Sequence, residues 1–155
     1  MKSFFTALII MLTLAPGIAY AQKVGDLTIS HAIIREAMQG AKVAGGFFTI
    51  KNAGTKDDRL LSIESKSAKA VELHQSTVKD GIARMRPLEN GLVIPAGKTA
   101  SLGDDGTHAM FMEPTSHYKA GEEIPAVLVF EKAGKIPVKF KVEKMNMDEG
   151  SEHSH

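Results

Sequence analysis

The 155-residue chain contains no cysteine, and that absence removes several kinds of chemistry at once. Without thiols there is no disulfide framework, no thiolate nucleophile, no Cys-x-x-Cys redox exchange and no cysteine-ligated blue-copper centre. An excess of charge of one sign is missing too. The chain has 19 basic and 18 acidic side chains; Lys2 alone precedes Gln22, so the remainder is formally neutral. No basic stripe marks a surface for nucleic acid or for an anionic membrane. Long hydrophobic runs are also lacking. Residues 4–15 form an extended apolar stretch, but it falls short of the ~20 residues that cross a bilayer, and Pro16-Gly17 follows it. Lys2, this short run and Ala19-Tyr20-Ala21 read instead as a secretory signal with an A-x-A site. The expectation is an exported, periplasmic protein cleaved after Ala21, with no stable membrane insertion afterwards.

Helical periodicity is nearly absent from the rest. Only residues 31–38 hint at it. What fills the chain is short alternating runs punctuated by glycine and proline, the mark of antiparallel strands. Strands are expected over 27–37, 45–52, 59–65, 71–78, 82–88, 92–94, 99–102, 107–112, 123–131 and 136–142. Asp80-Gly81 is the strongest hairpin signal, and Ala133-Gly134 marks the last turn. No repeat or linker divides the domain. The fold class is therefore all-β, an immunoglobulin-like Greek-key sandwich or a barrel. Residues 22–143 form this domain, and residues 144–155, "KMNMDEGSEHSH", form a polar tail without strand pattern.

The chemistry lies in histidine and methionine. In "GTHAMFME" the alternation of a strand puts His108, Met110 and Met112 on one face and Ala109 and Phe111 on the other. Methionine is a common filler of cores, so this segment alone fits packing as well as metal binding. A two-residue type I′ turn at Asp80-Gly81 adds an independent signal. It would set Met85 opposite Ser76 and His74 opposite Pro87, making His74 and Met85 diagonal neighbours on one face. Two imidazoles and two thioethers, with no carboxylate, form a soft set that selects Cu(I) over zinc, calcium or magnesium. No convincing acid, base and nucleophile set stands out, so a carrier is expected rather than an enzyme.

The pattern His74, ten residues, Met85, twenty-two residues, His108-x-Met110 resembles that of the periplasmic PCu(A)C copper(I) chaperones. "VELHQSTVKDGIARMRPLENGLVIPAGKTASL", "THAMFM", "GGFFTIKN" and "DDRLLSIES" carry the resemblance, which extends from about Leu27 to Val142. It implies a cupredoxin-like barrel and Cu(I) held by His74, Met85, His108 and Met110. It also implies delivery to the CuA centre of cytochrome c oxidase, whose copper-bearing subunit, or another copper chaperone, would be the partner. A copper-buffering or resistance role and a metal-free structural domain stand as alternatives. Met112, Met145, Met147, His153 and His155 are secondary metal candidates, those in the tail for Cu(II). His31 and His117 match no ligand position, and Asp58-Arg59-Leu60 reads as a structural turn.

Overall fold

The computed structural model describes residues 21–104 and 106–144. Residues 1–20 of the expected leader and the tail candidates Met145, Met147, His153 and His155 lie outside the described residues. Within them every regular element is a strand: β1 (Gln22–Val24), β2 (Leu27–Arg35), β3 (Val43–Asn52), β4 (Asp58–Glu64), β5 (Ala68–Lys79), β6 (Ile82–Pro87), β7 (Leu92–Ile94), β8 (Thr99–Leu102), β9 (Thr107–Pro114), β10 (Glu123–Phe130) and β11 (Gly134–Glu143). The strands follow the order β6-β5-β9-β3-β2-β11-β10-β4-β7, with β1 on β2 and β8 on β3. All pairs are antiparallel except β11 with β2.

This sheet curls onto itself. Phe111 on β9 and Phe140 on β11 are separated by β3 and β2, which in a flat sheet would hold them roughly 14 Å apart at ~4.8 Å per strand. Their ring centroids are 5.4 Å apart. Phe48 meets Phe140 at 5.6 Å and Tyr118 meets Phe111 at 6.5 Å, all edge-on, as aromatic quadrupoles prefer. Ile34, Ile50, Leu60, Leu128 and Ile136 complete a core with no exposed surface at those positions. The Tyr118 hydroxyl donates to the carbonyl of Ser67, and burial pushes its pKa up to about 12.

The helical hint at residues 31–38 is corrected by a β-bulge. The pairing of β2 with β3 shifts between Ser30 and Ile33, and His31 has φ 53°. The extra residue spreads the buried positions to Ile29, Ile34 and Ala37, a spacing that imitates a helix although β2 runs on to Arg35. Short β1, pairing only with β2, escaped the sequence reading.

Asp58 is a structural staple, as its place at a strand start suggested. One carboxylate oxygen accepts from the backbone N–H of Arg59 (2.7 Å) and Lys132 (2.9 Å), the other from Ala133 (3.0 Å). The start of β4 is thereby tied to the turn between β10 and β11.

Candidate metal centre

The open face of β6, β5, β9 and β3 carries the His and Met residues. Along β9 the side chains of Thr107, Ala109 and Phe111 are buried while His108, Met110 and Met112 are only partly covered. The three soft or imidazole groups therefore lie on the face of β9 turned away from the buried side chains. Opposite residues of an antiparallel pair share a face. His74 lies directly opposite His108, Glu72 opposite Met110 and Ala70 opposite Met112.

The hairpin has the expected turn. Lys79 pairs with Ile82, and Asp80 and Gly81 have φ of 55° and 74°, the positive pair a type I′ turn demands. Met85 accordingly stands opposite Ser76, and His74 opposite Pro87. Since Ser76 and His74 share a face, Met85 is the diagonal neighbour of His74. Met85 is 52% exposed, on an arm that extends past the last β5–β9 pair at Gln75.

The rings of His74 and His108 are 6.3 Å apart between centroids, inclined at 67°. With metal–nitrogen bonds of ~2.0 Å, two imidazoles at this separation can hold one ion between them after a small adjustment. Gly45 on β3 lies opposite Met110, and the Phe47 ring lies over it, within 3.4 Å of where a Cβ of Gly45 would stand. Gly106 shapes the approach to β9. At φ 78° it occupies the left-handed region, and a Cβ there would come within 2.6 Å of the Ser76 carbonyl oxygen. The Gly106 carbonyl accepts two N–H groups, the backbone of Ser76 at 2.9 Å and Nδ1 of His108 at 3.1 Å.

The four expected ligands include no carboxylate, but one stands beside them. Glu72 Oε2 accepts from His74 Nε2 at 2.8 Å, and Glu72 occupies the position across from Met110. Its signal was present in the sequence: Glu72-x-His74 has the same two-residue period as His108-x-Met110. Among the described residues no group of three His, Asp or Glu side chains is placed to hold a metal ion. His31 and His117 stand apart from this face. His31 Nδ1 is 3.2 Å from the Ser30 hydroxyl, at the bulge; His117 Nε2 is 3.8 Å from Glu36.

Fold and site together define an all-β domain with a His/Met cluster on one open sheet face. The chain belongs to the LpqE-like family ("Putative lipoprotein LpqE-like"), whose model matches residues 27–142. A protein of Leifsonia xyli subsp. xyli described as a lipoprotein, Lxx21020, is 30% identical over 114 residues, covering 74% of this chain and 68% of the relative. Among solved structures, the copper-bound PCuAC domain from PmoF2 superposes with TM-score 0.68 at 21% identity, covering 81% of this chain and 99% of that one. CuI-DR1885 from Deinococcus radiodurans gives TM-score 0.61 at 25% identity, covering 83% of each chain. The fold is that of the PCuAC domains, as the sequence resemblance implied.

Proposed function

We propose that this protein is an exported copper carrier that binds one Cu(I) through His74, Met85, His108 and Met110. The observation that carries the reading is the register. His74 faces His108 across two strands, Met110 follows on the same face, and the Asp80-Gly81 turn brings Met85 diagonally beside His74. Two imidazoles and two neutral thioethers suit Cu(I) and leave hard divalent cations poorly served. The copper named in the PmoF2 and Deinococcus structures supports the same cargo.

The leader-like residues 1–21, ending in Ala19-Tyr20-Ala21, and the lipoprotein descriptions of the relatives support export, with the periplasm as the compartment. Four protein donors leave the ion no open position for a substrate, so its work is carriage rather than catalysis. The recipient we propose is the copper-bearing subunit of cytochrome c oxidase, at its CuA centre, or a second copper chaperone. Tail residues Met145, Met147, His153 and His155 would form a separate capture site able to take Cu(II) through imidazoles.

Cu(I) titration of the chain from Gln22 to Glu143, beside a His108→Ala, Met110→Leu double variant, tests the site. One tightly bound ion, lost in the variant while thermal unfolding stays cooperative, is expected. Equal binding by both proteins would overturn the ligand assignment.

A further inference from the structure

We infer that Glu72 is a positioning residue of this site: it orients His74 so that Nδ1 faces the metal, while the Gly106 carbonyl imposes the opposite choice, Nε2, on His108. The inference rests on the proposed copper reading and extends it to the individual nitrogen atoms.

A carboxylate accepts and does not donate, so the 2.8 Å contact between Glu72 Oε2 and His74 Nε2 places the ring proton on Nε2. A neutral imidazole carries one N–H, which leaves the lone pair of His74 on Nδ1. That nitrogen is buried and has no hydrogen-bond partner, in a side chain only 15% exposed. An unfilled buried acceptor calls for an explanation, and a bound ion between His74 and its facing neighbour His108 supplies one. The second histidine is set by the same rule in reverse. The Gly106 carbonyl can only accept, so the 3.1 Å contact puts the proton of His108 on Nδ1 and frees Nε2.

Metal-bound imidazoles commonly have their second nitrogen held in this way, which fixes tautomer and ring orientation together. Glu72 adds a further effect through its place opposite Met110. Its negative charge lies beside an ion whose four donors are all neutral, and offsets the charge the ligands leave uncompensated. Glu72 is thus occupied on the outer side of His74 and is not itself a fifth ligand.

The test is long-range proton–nitrogen correlation on the imidazoles of the nitrogen-15-labelled chain from Gln22, before and after one equivalent of Cu(I). Metal-free protein should show the Nε2–H form at His74 and the Nδ1–H form at His108. Copper should then shift Nδ1 of His74 and Nε2 of His108. Glu72→Ala should mix the tautomers of His74 and weaken Cu(I) binding about tenfold. Glu72→Gln, whose amide oxygen still accepts, should keep the tautomer and retain more affinity than the alanine variant. Both should melt like the parent, because Glu72 is 49% exposed. A copper-induced shift at Nε2 of His74, or undiminished affinity in Glu72→Ala, would overturn the assignment while leaving copper binding intact. Failure of the parent chain to bind Cu(I) would overturn both this assignment and the copper reading.

Discussion

His74 and His108 stand directly opposite each other on β5 and β9, with ring centroids 6.3 Å apart. They are far apart in the chain, and a single register step would separate them by face, because side chains alternate with a period of two. The pairing persists because the neighbours on the opposite face, buried Leu73 opposite Ala109 and partly buried Val71 opposite Phe111, must meet the core. The proposed site is thus a consequence of hydrophobic registration on the opposite face of the sheet.

Met85→Leu and Met110→Leu should separate metal binding from folding. Leucine nearly conserves volume and apolarity, so each substitution should cost under about 1.5 kcal/mol of stability. Met85, more than half exposed, should cost least. Cu(I) affinity should fall at least about tenfold in each, equivalent to about 1.4 kcal/mol. Competition with a Cu(I) chelator, read beside thermal melting, checks both quantities; a variant that loses its fold would mark that methionine as structural.

Gly106→Ala should damage fold and site together. The left-handed backbone costs a residue with a Cβ about 1–2 kcal/mol. The new methyl would also press on the Ser76 carbonyl at 2.6 Å. Relief by backbone movement would displace the carbonyl that holds His108 Nδ1. Melting should drop by several degrees and Cu(I) affinity should fall in the same variant.

Asp58→Ala should do the reverse, lowering stability while sparing the metal. It strands three backbone N–H groups of Arg59, Lys132 and Ala133, at a cost of about 3 kcal/mol. Denaturant unfolding should show that loss, and Cu(I) stoichiometry should stay that of the parent.

Alkaline stability should follow Tyr118. Its folded pKa of about 12 lies above the ordinary phenol value of about 10. The stabilisation it contributes is complete below the unfolded value and is lost as pH rises through the folded one. From Gln22 onward Tyr118 is the only tyrosine, so phenolate absorbance in the near ultraviolet reports it alone. Its ionisation should coincide with alkaline unfolding; an independent midpoint near pH 10 with the fold intact would refute the prediction.

Removal of residues 144–155 should leave one Cu(I) on the domain and abolish only weaker Cu(II) uptake. Metal counts on both forms of the chain decide this, and unchanged counts for both oxidation states would remove any role for Met145, Met147, His153 and His155.

The sequence by itself determined the fold class, most strand positions and which His and Met residues share a face. Alternation alone places His108, Met110 and Met112 on one side of β9, and Asp80-Gly81 accepts a type I′ turn because its two positions tolerate positive φ. These are local matters, settled by neighbours in the chain. The bulge at Ser30–Ile33 was illegible because an extra residue shifts apolar spacing toward that of a helix. Glu72 was visible as a face-mate of His74, but not as its hydrogen-bond partner, since only rotamers in the folded sheet bring Oε2 to Nε2. The meeting of β5 with β9 was likewise a tertiary decision. It rests on burying Leu73, Ala109 and Phe111 in the common core, and that burial is a property of the whole curled sheet rather than of any one strand.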